Sequence, residues 1–190
     1  MRLTDRQRID GALSELSRLI QGLSTIEPLL EAAAGKIEAA VRAGGKVMLF
    51  GNGGSASQAQ HIAAEFVNRF LRDRRALPAI ALTTDQSILT SIANDATFDA
   101  VFARQVEAIG KPGDVAIGLS TSGESRNVIS AFEVSRLMGV FTIGLTGRSG
   151  GRLAGCSDLL LRVDAETTPR IQEMHLLIGH LIAEMVEARF

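Results

Sequence analysis

Apolar residues recur every three or four positions from Asp5 to Gln21 and again from Ile26 to Ala43, the spacing of two amphipathic helices. The "STIEP" break between them offers Ser24 or Thr25 as a cap, with Pro28 in the first turn of the second helix, and "RAGGK" ends that helix. Five short apolar runs follow: "KVMLF", "PAIAL", "DVAIGL", "VFTIGL" and "DLLLRV". Each runs into small or polar turn residues, and most then lead into a helical pattern. Within the runs hydrophobicity is continuous rather than alternating, so both faces are covered, as in a parallel sheet between helices. A last helix is expected from about Pro169 to Arg189, with Thr168 as its cap. The pattern predicts an α/β fold: a five-stranded parallel sheet flanked by helices in a three-layer sandwich, preceded by a helical pair. We expect one domain over 1–190, with 1–43 packing in an oligomer and 44–190 forming the α/β core.

Composition narrows the function classes. The chain has 190 residues, a formal net charge of −1 and 46% hydrophobic residues, so neither a polyanion-binding surface nor a disordered acidic chain is indicated. Nucleic acid is not an expected partner. One cysteine, Cys156, excludes an intrachain disulfide framework and a cysteine-cluster zinc site. The start, "MRLTDRQRIDGALSEL", lacks the apolar core of a signal peptide or membrane span, which predicts a soluble, cytoplasmic protein without a membrane partner. The density of small aliphatic residues suggests apolar surface shared between subunits.

In open parallel sheets the ligand crevice lies beyond the carboxyl ends of the strands, so the loops after the runs carry the chemistry. The first is Gly51-Asn52-Gly53-Gly54-Ser55-Ala56. It satisfies G-x-G-x-x-A, but the acidic residue that a dinucleotide site wants about 20 residues on is missing, Asp85 lying some ten residues too far. No Gly-Lys-Ser/Thr follows, so a Walker loop is excluded. Bare amides, the Ser55 and Ser57 hydroxyls and a helix start suit an anion; alternatively Ser55 only caps the helix. The third run ends in Ser120-Thr121-Ser122-Gly123-Glu124-Ser125-Arg126-Asn127. Capping needs one hydroxyl, and four within six residues exceed that need, which favours a phosphate. Glu124 is then expected to turn its carboxylate to solvent. Asn94 and Asp95 either form a plain turn or reach the same crevice, where they suit sugar hydroxyls.

His61 and Glu65 stand at i and i+4 on the helix leaving the glycine loop, either as a surface pair or as ligands of a shared divalent cation. On the last helix Gln172, His175 and His180 share one broad face, although Gln172 and His180 are about 12 Å apart along the axis, a long reach for ligands of one ion. Either their side chains lean together or a neighbouring subunit contributes. His175 reads equally as a core or solvated histidine. His180, within "LLIGHLIAEM", would be costly without a polar partner.

Five segments, "GNGGSASQAQHIAAEF", "LTTDQSILTSIAND", "STSGESRNVISAF", "LTGRSGG" and "RIQEMHLLIGH", resemble the phosphoheptose isomerase family within the sugar isomerase (SIS) domain class, from about Gly44 to the carboxyl terminus. The resemblance implies an aldose-ketose isomerase acting on sedoheptulose 7-phosphate in lipopolysaccharide core biosynthesis, as a homotetramer with sites at subunit boundaries. It implies one zinc per subunit on His61, Glu65, Gln172 and His180, with Glu65 as base and His180 as acid. Implied substrate contacts are Asn52, Gly53, Gly54, Glu65, Asn94, Asp95, Ser120, Thr121, Ser122, Ser125 and Gln172, and Ser55 joins them through its hydroxyl in the glycine loop. Four protein ligands would close a tetrahedral shell, so Gln172 is expected to yield to substrate or the shell to expand. Two other classes remain: a non-catalytic SIS-fold binding protein of the type associated with the replication initiator, which would have no use for Glu65 and His180 together, and a dinucleotide enzyme.

Overall fold

The computed structural model describes residues 3–190. Helix α1, Asp5–Gly22, opens with a capping box in which Thr4 and Gln7 satisfy one another's backbone amides. It passes through a 3-10 turn over Leu23–Ile26 into α2, Glu27–Arg42, whose first turn holds Pro28. The expected cap at Ser24 or Thr25 is not formed. Both hydroxyls donate backward, to the carbonyls of Gln21 and Gly22, because the chain here continues as a tightened helix instead of breaking.

The five apolar runs form β1, Val47–Gly51; β2, Ala79–Ala81; β3, Val115–Ser120; β4, Phe141–Thr146; and β5, Leu159–Arg162. All pair in parallel in the order β2-β1-β3-β4-β5, as the continuous hydrophobicity predicts. Successive residues of β1 serve opposite faces. Val47 and Leu49 point into a core shared with α2, with α3, Gly54–Val67, and with α7, Thr168–Glu187. Met48 and Phe50 point into a second core with α5, Ala103–Ile109, and α6, Arg126–Leu137, where Phe50 packs on Phe102 and Phe132. Helix α4, Gln86–Asp95, capped by Asp85, buries none of its residues. Thr167 rather than Thr168 occupies the cap position of α7, without a side-chain bond.

The two amino-terminal helices differ in role. Helix α2 contributes Leu30, Ala33, Ile37 and Val41 to the core. Helix α1 buries only Leu19 and leaves Ile9, Leu13 and Ile20 about half exposed or more, on one stripe.

Helices α3 and α7 run side by side in the same direction. Gln58 donates to the Gln172 carbonyl at 2.5 Å, Ile62 meets Gly179, and the residues just past α3 meet Glu187. A Cβ at Gly179 would lie 2.4 Å from Ile62 Cδ1 and 2.7 Å from its Cγ1, so the absent side chain sets how closely the helices approach. Gly179→Ala should destabilise the fold by about 1–3 kcal/mol in denaturant unfolding. Combined with Ile62→Ala, the loss should fall clearly short of the sum of the two single losses. Strict additivity would mean the two residues do not set the helix spacing.

Candidate active site

Strand order reverses between β1 and β3, where one chain connection leaves to each side, so their carboxyl ends open onto a crevice. The glycine loop follows β1 and the hydroxyl loop follows β3, with Gly51 paired to Leu119. Gly53, at φ +54°, is the cap residue of α3. Ser55 therefore does not cap that helix; it lies buried in the first turn. Ser125 takes the cap position of α6 without a side-chain bond. Among the described residues the amides of Gly53, Gly54, Arg126 and Asn127 donate to no protein acceptor. Two helix amino termini thus converge with free N–H groups, a ready anion site.

The loops are locked to each other. Asn52 and Asn127 exchange amide hydrogen bonds at 2.8 and 2.9 Å, Ser120 and Ser125 share one at 2.8 Å, and Ser120 Oγ accepts the Gly123 amide at 3.1 Å. Gly123, at φ +71°, presses on Gly150, whose carbonyl would lie 2.1 Å from any Cβ there. Thr121 borders a cleft of about 390 Å³ with Ser122, Arg148 and Ser149. Glu124, though exposed, is not simply solvated: its carboxylate accepts the Arg152 amide at 2.9 Å, a bond that turns it away from the hydroxyls. The Asn127 partnership crosses between elements and so lies beyond sequence spacing, although Asn127 closes the hydroxyl run itself.

His61 and Glu65 face α7 from the carboxyl half of α3. His61 Nε2 lies 3.2 Å from Glu65 Oε1 and 3.0 Å from His180 Nε2, and the three ligating atoms all fall within 4.8 Å of one another. Two facing ring nitrogens so close need either a shared proton or a cation between them. A tetrahedral ion with bonds of 2.0–2.1 Å has ligand-to-ligand edges of about 3.3 Å, close to both spacings, and two imidazoles with one carboxylate are a zinc-type donor set. The residues fit a metal. Burial holds the His180 imidazole below its usual pKa, aided by neighbouring His61 and opposed by Glu65. The Phe70 ring stacks on His180 at 5.3 Å, a contact that sequence spacing could not reveal.

Gln172 is not part of this group within the chain. Its amide lies over Gly54, where an added Cβ would come within 2.7 Å of Nε2, and 3.5 Å from Ser55 Oγ. It is thus at the glycine loop, about 12 Å along α7 from His180. Asn94 and Asp95 sit exposed at the end of α4, and their one side-chain hydrogen bond joins them to each other.

His175 is the core histidine of the helix. It is fully buried against the Thr146 backbone, and neither ring nitrogen completes a well-formed hydrogen bond.

The fold is that of the SIS domain class, whose family model matches residues 13–147. A phosphoheptose isomerase of Desulfovibrio desulfuricans is 55% identical over 159 residues, 84% of this chain and 76% of that protein. The solved phosphoheptose isomerase of Neisseria gonorrhoeae superposes with a TM-score of 0.92 at 40% identity, over 97% of this chain and 100% of that one. That of Francisella tularensis gives 0.94 at 34% identity, over 98% and 100%. The chain belongs to the phosphoheptose isomerase family. Its sheet and flanking helices are therefore the SIS fold that the sequence motifs implied, and no helix among the described residues is long and apolar enough to cross a membrane.

Burial pushes the His175 pKa down to about 4. The unfolded chain takes up a proton near pH 6.5 that the folded chain refuses until about pH 4, so this residue costs stability as pH falls through that window and nothing above it. The full cost is about 3 kcal/mol. His175→Leu should flatten that part of the unfolding free energy against pH; an unchanged slope would place the linkage elsewhere.

Proposed function

We propose that this chain interconverts sedoheptulose 7-phosphate and D-glycero-D-manno-heptose 7-phosphate, the entry step to the heptose of the lipopolysaccharide core, in the cytoplasm. The observation that carries the reading is a spacing. From Gly54, at the anion-binding helix start, to His61, at the acid-base group, α3 rises about 10 Å. An extended seven-carbon chain with its terminal ester spans roughly the same length at about 1.5 Å per bond. A phosphate on the two helix amino termini leaves the far end of such a sugar beside Glu65 and His180.

In this reading the phosphate is held by the amides of Gly53 and Gly54 and by Ser55, Ser120, Thr121, Ser122 and Ser125. Asn52 braces the two loops through Asn127, and Gln172 meets the sugar from above Gly54. Asn94 and Asp95 would have to reach sugar hydroxyls from α4, the helix with no buried residue. Glu65 removes the proton from carbon 1 of the ketose and returns it to carbon 2. His180, neutral near pH 7 and with Nε2 turned to His61, would donate its Nδ1 proton to the carbonyl oxygen and recover one from the neighbouring hydroxyl. Glu65 Oε1 faces His61, which leaves the second carboxylate oxygen for the carbon-bound proton.

His61, Glu65 and His180 would hold the zinc, which when bound supplies Lewis-acid polarisation at the sugar carbonyl. Three ligands from one chain leave the open position that catalysis requires. For Gln172 to join the same ion, α7 must shift or a second copy must supply the residue; its amide over Gly54 supports a substrate role instead. Self-association is supported by the apolar stripe of α1, which a soluble monomer would leave wet, and the number of four copies comes from the family resemblance alone. A non-catalytic binding role is disfavoured because it leaves the paired imidazoles and carboxylate without a purpose.

Glu65→Gln and His180→Gln should each lower turnover of sedoheptulose 7-phosphate by at least about a hundredfold while phosphate-ester binding persists; wild-type turnover in both would remove the mechanism. A five-carbon ketose 5-phosphate falls short by two carbons, and its kcat/KM should be lower by more than about tenfold. Paired Ile9→Glu and Leu13→Glu should shift sedimentation toward smaller species, and an unchanged assembly would place the contact elsewhere.

A further inference from the structure

Past the end of α3 the chain turns through a segment held by two buried charges. The Glu187 carboxylate, on the last turn of α7, accepts the amides of Phe70, Leu71 and Arg72 at 2.7, 2.6 and 2.8 Å. Arg74 lies in ion-pair contact with it, Nε to Oε1 at 3.3 Å, and both side chains are less than 5% exposed. The terminal nitrogens of Arg74 donate to the carbonyls of Glu65 at 2.7 Å, Phe66 at 2.8 Å and Asn68 at 3.1 Å, replacing the capping that the end of α3 lacks. It also holds the Arg75 carbonyl at 3.0 Å. Burial would raise the Glu187 pKa, but the three amides and Arg74 outweigh it and keep the carboxylate ionised.

Stability does not explain such an arrangement, since a buried ion pair is often no better than an apolar pair of similar volume. What it fixes is geometry. Arg74 grips the backbone carbonyl of Glu65 itself. Glu187 grips the backbone of Phe70, whose ring stacks on His180 at an interplanar angle of 27°. One buried pair therefore reaches both members of the acid-base group from behind, one through the main chain and one through an aromatic ring.

We propose that Arg74 and Glu187 are positioning residues for the isomerisation, setting through Phe70 the attitude of the His180 ring toward Glu65. The proposal rests on Glu65 and His180 being the acid-base pair. Both side chains are buried behind the acid-base group, so neither is placed to touch substrate. Their effect should appear in kcat rather than KM, because the phosphate grip lies at the other end of α3.

The test uses the full chain with Phe70→Leu, Phe70→Tyr and Glu187→Gln. It reads kcat and KM for sedoheptulose 7-phosphate, and the His180 ring-proton resonances of the metal-free protein. Phe70→Leu should lower kcat between about ten- and a hundredfold. Its KM should stay within about twofold. It should also remove the ring-current shift at His180, and Phe70→Tyr should restore both kcat and shift. Glu187→Gln should act in the same direction with helical content unchanged. Wild-type kcat in a folded Glu187→Gln would overturn the role of the pair; should that variant fail to fold, Arg74→Lys takes its place, with Phe70→Leu testing the ring through which both act. Wild-type kcat and an unmoved His180 resonance in Phe70→Leu would overturn the proposal. If Glu65→Gln and His180→Gln are inactive in the same assay, the positioning role alone fails; if they too are active, the acid-base reading fails first.

Discussion

The approach of α3 to α7 is the constraint on which the site depends. Two helices running the same way, brought together where Gly179 offers no side chain to Ile62, set their polar positions against each other turn by turn. Gln172 falls over Gly54 at the amino-terminal end, His180 over His61 farther along, and Glu187 over the chain that leaves α3. An antiparallel pair crossing at the same point would carry Gln172 to the far end of α3 and Glu187 to the glycine loop, so that neither would meet its present partner. Direction is not a free choice here: both helices follow strands of one parallel sheet, and each begins at its carboxyl edge.

That seam also sorts the chemistry by depth. At one end lie uncapped amides and hydroxyls, donors that suit a fixed negative charge, braced by the reciprocal Asn52 and Asn127 amides. At the other lie two imidazoles and a carboxylate, groups that exchange protons or bind a cation. Their separation is a property of helix rise rather than of loop conformation. A rigid α-helix is a better spacer between two subsites than any loop of equal length, because its length does not fluctuate with its surroundings.

Much of this was legible in the chain. Five continuous apolar runs between helical patterns are enough for a covered parallel sheet, and the clustered hydroxyls after the third run exceed what capping explains. The pairing of His61 with Glu65 follows from four-residue spacing alone. What sequence could not reach was contact across elements. The helix rise of about 12 Å between Gln172 and His180 is legible, but nothing in the spacing of α7 tells that Gln172 meets Gly54 and His180 meets His61. Local capping also misled: Ser24, Thr25, Ser55 and Thr168 are all suitable caps by type, yet none caps a helix, because two turn back to carbonyls and two sit inside the first turn. The Arg74 and Glu187 pair gave no signal, since a charged residue near a helix end reads as a solvated one until the fold buries it.

His175 and His180 show how far position outweighs residue type. They lie five residues apart on one helix, and the fully buried one is the one without polar partners. His175 faces the Thr146 backbone with no charge near enough to favour its proton, so desolvation keeps it neutral well into the acid range. His180 is less buried and meets a second imidazole, a carboxylate and an aromatic ring. Each of those contacts comes from α3 or from the segment that follows it. The histidine with polar partners is thus the one the neighbouring helix reaches, and a change that widens the seam would deprive it of them while leaving the sheet and the loops after β1 and β3 in place.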